Sequence, residues 1–139
     1  MTRNSLFAAG FALAAIGFLG VSQAVSAGGA IEVAQADDPD AILLAELKAE
    51  GETLYTNNCA DCHGHDGEGN NGPEFAGNNN LSSVSGTVGM ILGGFVDHNM
   101  PAWAGVFDDR EVAGVATYIR NAWGNDFGLV RIAWVTNRR

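Results

Sequence analysis

The feature that most constrains this chain is one short stretch, Cys59-Ala60-Asp61-Cys62-His63. On a helical turn, residues at positions i, i+3 and i+4 lie on one face, so the two thiols and the imidazole point the same way. This C-x-x-C-H spacing is the pattern of covalent haem attachment, because both thiols can reach the vinyl groups at one porphyrin edge. The pattern predicts one haem c, attached through Cys59 and Cys62, with His63 as a ligand of its iron.

Two other kinds of site use cysteines at this spacing. A redox-active disulfide of the thioredoxin type expects a β-α-β pattern around it, and the sequence shows no convincing strand alternation. A zinc site needs four ligands. The chain has 2 cysteines and 3 histidines, so His65 and His98 would have to complete such a site. Haem attachment is favoured because a histidine follows the second cysteine directly and the remaining sequence is rich in loops.

The N-terminal segment, residues 1–27, has the order of a secretory signal peptide. Arg3 gives a positive start, Leu6 to Val21 is uncharged and apolar, and small residues follow up to Ala27. The apolar run is shorter than the roughly 20 residues that a membrane-spanning helix needs. We expect cleavage after Ala27, with Ala24 as a second candidate. The mature protein would then be exported, in a periplasm or a similar compartment, without an integral membrane segment.

Beyond the leader, the sequence predicts a flexible tail at residues 28–40 and one domain at residues 41–139, with a short extension after about residue 125. Apolar spacing of three and four residues predicts an all-α fold. The predicted helices run from Ala41 to the cysteines, from Ser85 to Leu92, and from a capping box at Asp108 and Glu111 to Gly124. A long loop rich in glycine and asparagine occupies residues 64–80, and a second loop occupies residues 95–107.

The second iron ligand is predicted in the second of these loops. Pro101 fixes its own φ and biases Met100 toward an extended conformation, which suits a side chain held in one place. A thioether ligand raises the reduction potential of the iron. His98 is the alternative ligand, since it lies two residues from Met100 and is the stronger ligand. Met90 lies on an apolar helix and is interpreted as a core residue.

In this order of motifs the chain resembles a class I monohaem c-type cytochrome. The likeness runs from Gly51 to about Asn125. Besides the haem motif, it rests on four weaker stretches, namely residues 51–55, 72–78, 91–103 and 115–120. Phe75 stands where the family has leucine. The resemblance implies the cytochrome c fold, in which helices and long loops surround one covalent haem. It also implies that the N- and C-terminal helices cross at Gly51, with Tyr55 and Tyr118 packed nearby.

The resemblance further implies roles for two residues around the haem. The carbonyl of Pro73 would accept the second N–H of His63, and Trp103 would pack against the haem or offer its indole N–H near a propionate. A plain loop anchor is the other interpretation of Trp103. Trp123 is interpreted as a packing residue.

The implied function is that of a single-electron carrier between periplasmic redox partners, without enzymatic activity of its own. Residues 118–125 also resemble cytochrome subunits of periplasmic dehydrogenases or oxidases, so a dedicated electron-transfer subunit is the alternative. A haem peroxidase or a ligand sensor is a further alternative, and it would require Met100 to be absent from the iron or easily displaced.

The charge balance restricts the partners. The sequence has 16 acidic residues against 7 basic ones, and Arg3 would leave with the leader. Such a chain does not attract nucleic acid and is repelled by anionic lipid. Much of the acidic charge lies at residues 37–52 and 61–74, the second stretch around the haem motif. We therefore expect redox partners with a basic docking face, and the other interpretation is that the charge only maintains solubility.

Overall fold

A computed structural model describes residues 38–139, so the predicted signal peptide and most of the predicted tail lie outside the described residues. The helices are α1 (Pro39–Asn58), α2 (Ala60–His63), α3 (Val84–Gly93), α4 (Asp109–Ile119) and α5 (Ile132–Thr136). Short 3₁₀ turns lie at Asn79–Ser82 and Val96–His98. Between residues 38 and 139 the β-type pairing is limited to one isolated bridge, Phe95 to Met100. The predicted all-α architecture is confirmed.

Helix α1 begins at Pro39 rather than at the predicted Ala41. The carboxylate of Asp38 accepts the backbone N–H of Asp40 at 2.9 Å and caps the helix. Proline at the first helical position costs nothing, because its missing N–H would have no partner within the helix. The helix then continues through Gly51 to Asn58 without a break.

Helices α1 and α4 cross where two glycines meet. A Cβ atom added at Gly51 would lie 2.0 Å from the carbonyl oxygen of Gly114, so this approach is possible only without a side chain. Beside the crossing, the ring of Tyr55 lies 5.4 Å from that of Tyr118 and 5.0 Å from that of Trp123, measured between centroids. The predicted contact at Gly51, with both tyrosines near it, is confirmed, and Trp123 is a packing residue.

The predicted capping box at the start of α4 is present. The Asp108 carboxylate accepts the N–H of Glu111, and the Glu111 carboxylate accepts the N–H of Asp108, both at 2.8 Å. These two bonds satisfy backbone donors that the first helical turn cannot pair. The predicted apolar stripe is buried, at Val112, Val115, Ala116 and Ile119.

Helix α4 ends at Ile119, earlier than the predicted Gly124. The side chain of Arg120 turns inward and is buried, and its guanidinium donates to the backbone carbonyls of Leu81 and Phe127. Trp123 follows in the left-handed region, with φ of 51°. The helix therefore stops where the Arg120 side chain binds one carbonyl 39 residues earlier and another 7 residues later in the chain.

The predicted extension after residue 125 is an integral part of the core. Val130 and Val135 are both 0% exposed. The hydroxyl oxygen of Thr117 on α4 accepts the backbone N–H of Val130 at 3.1 Å. Two buried valines and a buried hydrogen bond thus join the C-terminal segment, residues 130–139, to α4.

The prediction that Met90 is a core residue is wrong, because this side chain is 45% exposed. Helix α3 buries a different stripe, made of Thr87, Val88, Ile91 and Leu92. Residues at spacings of three and four share one helical face, and Met90 falls beside this stripe rather than on it.

We predict that Gly51→Ala lowers the free energy of unfolding of the protein by about 1–3 kcal/mol, as overpacking does in a closely packed interior. The added methyl group meets the Gly114 carbonyl, and the helices must separate to accept it. Urea unfolding followed by far-UV circular dichroism measures the change. Gly93→Ala is the control, since a Cβ atom there meets nothing within 4 Å. Equal effects of the two substitutions would contradict the crossing contact.

Candidate functional site

The cysteine motif forms one helical turn at the end of α1. The N–H of Cys59 donates to the carbonyl of Tyr55 at 2.8 Å, and the N–H of His63 donates to the carbonyl of Cys59 at 3.0 Å. Both cysteines are free; Cys59 is half-buried and Cys62 is exposed. The turn therefore presents one thiol toward the interior and the other toward the surface.

Beside this turn lies an apolar cleft that brings four of the predicted site residues together, namely Cys59, His63, Met100 and Trp103. Its remaining walls come from α1, α3, α4 and the two loops, through Tyr55, Phe75, Ile91, Phe107, Val115 and Ile119. Cys62 and Pro73 are not among the lining residues and are exposed. Aliphatic and aromatic walls with a few polar groups are typical of a cofactor site.

The imidazole of His63 is fixed on several sides. It is 7% exposed, and its Nδ1 lies 2.9 Å from the carbonyl oxygen of Pro73. Since a carbonyl can only accept, Nδ1 carries the proton and donates, which leaves Nε2 free to bind a metal. The Phe75 ring stacks on the imidazole at 4.2 Å, and a Cβ atom at Gly72 would lie 2.6 Å from its Cε1.

The loop that follows His63 folds back onto the motif through its own hydrogen bonds. The N–H of Gly72 donates to the carbonyl of Cys62 at 2.8 Å, and the N–H of Gly69 donates to that of His63 at 2.8 Å. The Tyr55 hydroxyl donates to the carbonyl of Gly64 at 2.6 Å, and burial raises the pKa of this phenol. These bonds place the Pro73 carbonyl against the imidazole.

Met100 reaches the cleft from the other loop. Its N–H donates to the carbonyl of Phe95 at 3.2 Å, and its carbonyl accepts the N–H of Phe95 at 2.9 Å. The alternative ligand, His98, is exposed, stacks on Phe95 at 4.4 Å, and is not among the cleft residues. Of the two candidate second ligands, the geometry brings Met100 to the cleft.

Trp103 both lines the cleft and anchors its loop. Its ring stacks on that of Phe107 at 4.6 Å, with 12° between the planes. Its backbone N–H donates to the carbonyl of Ile91 on α3 at 3.0 Å. The loop that carries Met100 is thereby attached to α3 just after the methionine.

The surroundings of Cys59 help to test the two alternatives to haem attachment, a redox-active disulfide and a zinc site. Burial, with a smaller contribution from the neighbouring Cys62, raises the pKa of the Cys59 thiol to about 11. Such a thiol stays protonated near neutral pH and is a poor nucleophile for disulfide exchange. Within residues 38–139 no group of three or more His, Cys, Asp or Glu side chains could hold a metal ion, so His65 and His98 do not join the cysteines.

Sequence reasoning assigned no site role to two aromatic cleft residues. Phe75 was noted only as a replacement of leucine, yet its ring covers the imidazole of His63. Phe107 was not singled out, although it directly precedes the helix cap Asp108. That is the position of a hydrophobic staple, so the capping box offered a signal for a buried side chain there.

These residues fit a haem c on chemical grounds. The cleft combines an imidazole with a free Nε2, a thioether and a thiol, and a second thiol lies at the surface end of the same turn. Histidine and methionine are a known pair of axial ligands in cytochromes c.

Comparison with known proteins points to the same class. Residues 46–119 match the family described as cytochrome C oxidase, cbb3-type, subunit III. The cbb3-type cytochrome c oxidase subunit CcoP of Rubrivivax gelatinosus is 36% identical over 94 residues, which cover 66% of this chain and 29% of the relative. The subunit of the same name from Cereibacter sphaeroides is 31% identical over 93 residues, covering 59% of this chain and 30% of the relative.

The chain spans less than a third of the length of these curated relatives. In the part of the chain that the structure describes, no helix combines the length and the apolar character needed to cross a membrane. The predicted resemblance to a c-type cytochrome and the predicted cytochrome c fold are confirmed. Because the matched segment covers more than half of the sequence, this chain belongs to the cbb3-type cytochrome c oxidase subunit III family and is a c-type cytochrome with an electron-carrying domain.

Proposed function

We propose that the protein is an exported, periplasmic carrier that transfers single electrons on one haem c, attached through Cys59 and Cys62 and ligated by His63 and Met100. The observation that carries this proposal is that Cys59, His63 and Met100 line the same apolar cleft. A bound haem c supplies an iron that alternates between the ferric and ferrous states.

On one side of the cleft, the surrounding residues hold the imidazole of His63 firmly in place. The bond from Nδ1 to the Pro73 carbonyl keeps the proton on Nδ1 and leaves Nε2 available to the iron. Phe75 and Gly72 pack against the ring and limit its rotation. A ring that does not reorient allows electron exchange with little movement of the protein.

The methionine side supports an electron carrier rather than an enzyme. If His63 and Met100 both held the iron, no coordination position would remain for a substrate. A thioether ligand raises the reduction potential, and the apolar walls at Ile91, Val115 and Ile119 keep water from the cofactor. We therefore propose that the protein has no substrate chemistry of its own.

The acidic stretch around the motif supports a partner with a basic docking face. Asp61, next to the exposed Cys62, is itself exposed, as are Asp66, Glu68 and Glu74 in the following loop. Opposite charge on the partner raises the encounter rate without requiring a large interface. We propose that electrons enter or leave near this acidic edge.

A second candidate, a dedicated subunit of a terminal oxidase, is favoured by the family match and by the names of the relatives, which are oxidase subunits. Purification of a tagged chain from its native organism separates the two cases. Stable co-purification with an oxidase supports the subunit, and recovery of the cytochrome alone supports the mobile carrier.

We predict that haem remains on the polypeptide under denaturing conditions. Haem staining after denaturing electrophoresis should coincide with the protein band, and the intact mass should equal the chain from Gly28 plus one haem. Cys59→Ala and Cys62→Ala should each retain one thioether and shift the alkaline pyridine spectrum, whereas the double variant should lose covalent haem. A mass showing a Cys59–Cys62 disulfide without haem would contradict the attachment.

We predict that Met100→Ala removes the thioether-to-iron absorption band and lowers the reduction potential, because a soft ligand that favours ferrous iron is lost. The ferric protein should also gain affinity for cyanide. Met90→Leu is the matched control and should leave the spectrum unchanged, since Met90 lies outside the cleft. Loss of the native spectrum in His98→Ala, with retention in Met100→Leu, would show that the ligand is His98.

We predict that the bimolecular rate of electron transfer with the physiological partner falls as salt rises. Raising ionic strength from about 0.01 to 0.1 M shortens the Debye length from about 30 to 10 Å, and the rate should drop at least about threefold. Asp61→Asn with Asp66→Asn should reduce both the low-salt rate and its salt dependence. Glu46→Gln, which lies on α1 several turns before the cysteine motif, should change neither. Stopped-flow kinetics measures all three, and a rate that is flat or rising with salt rejects electrostatic docking.

A further inference from the structure

The side chain of Arg139 binds the loop that follows Met100. Its guanidinium donates to the carbonyl of Phe107 at 2.5 Å, to the carbonyl of Ala104, and to the carboxylate of Asp109. The Thr136 hydroxyl donates to the same carboxylate at 2.6 Å. Hydrogen bonds from Thr136 and Arg139 hold the pKa of Asp109 below its ordinary value.

The opposite side of this loop is attached to α3. The N–H of Trp103 donates to the carbonyl of Ile91 at 3.0 Å, and the N–H of Ala104 donates to that of Leu92 at 3.2 Å. Ala104 is thus bonded through its N–H to α3 and through its carbonyl to Arg139. The chain between Met100 and Phe107 is held between a core helix and the C-terminal segment.

The tip of this loop packs against little, although the N–H groups of Val106 and Phe107 both donate to the carbonyl of Trp103. Ala104, Gly105 and Val106 are exposed, and a Cβ atom at Gly105 would meet nothing within 4 Å. Glycine without packing neighbours leaves the backbone free to move. The C-terminal segment is a firm attachment point by contrast, since Val130 and Val135 are fully buried.

We propose that Arg139 is a positioning residue for Met100, and that its bonds to the loop carbonyls determine how firmly the methionine side chain is held at the iron. This inference rests on the proposed ligation by Met100. The first fixed points after Met100 and Pro101 are Trp103 and Ala104, and Arg139 binds one of them directly. When these bonds are lost, the loop can move outward and competing ligands displace the thioether more easily.

The test is an imidazole titration of the ferric holoprotein, full chain, with Arg139→Gln. Displacement of the thioether is measured as loss of the thioether-to-iron absorption band. The variant should bind imidazole about three to ten times more tightly, the range for losing a partly exposed set of charge-assisted hydrogen bonds. Arg139→Lys, which keeps the charge, should recover part of the difference. Asp109→Asn should act in the same direction with a smaller effect.

The matched control is Arg131→Gln. Arg131 belongs to the same C-terminal segment, but it pairs with Asp40 on α1, which lies far from the Met100 loop in sequence. The Arg131→Gln substitution should leave the imidazole affinity of the ferric protein unchanged. Equal affinity in Arg139→Gln and the wild type, or an equal rise in Arg131→Gln, overturns the inference while leaving Met100 ligation intact. A wild-type spectrum without the thioether-to-iron band overturns the ligation and this inference together.

Discussion

The backbone contact between Gly51 and Gly114 fixes the distance between the two longest helices, and the cleft depends on that distance. Helix α1 supplies Tyr55 and, at its end, Cys59, whereas α4 supplies Val115 and Ile119. A side chain at Gly51 would separate the helices and widen the space between these walls, and a Cβ atom at Gly114 would lie only 3.3 Å from the Leu47 carbonyl oxygen. Two residues without side chains therefore set the dimensions of a site to which they contribute no lining atoms.

The two sides of the cleft are held by different kinds of interaction. His63 is fixed by bonds within a short stretch of chain, since the Cys62 carbonyl binds Gly72 and the imidazole binds Pro73. Met100 depends partly on Arg139, which belongs to a remote segment. Local bonds survive openings that release a remote segment, because parts of a protein open separately at different free energies. Partial opening of the C-terminal segment would therefore loosen the methionine side and leave the histidine side in place.

The sequence predicted the features that local rules control and missed those decided by distant contacts. The capping box at Asp108 and the close approach at Gly51 follow from spacing and from a family pattern, and both are present. The exposure of Met90 was missed because a short apolar run does not show which of its residues faces the core. The early end of α4 coincides with the bond from Arg120 to the carbonyl of Leu81, 39 residues away, which no periodicity reveals.

The candidate site was more predictable than the fold around it, because its central turn is encoded in consecutive residues. The glycine-rich loop at residues 64–80 is ordered by hydrogen bonds between protein atoms, which residue spacing alone does not reveal. Gly67 and Gly69 take positive φ values of 68° and 81°. A Cβ atom at Gly67 would lie 2.4 Å from the Trp123 ring. The glycines thus let the loop pack closely and bring the Pro73 carbonyl to the imidazole. The protein itself orients His63, so ligand binding there requires little rearrangement.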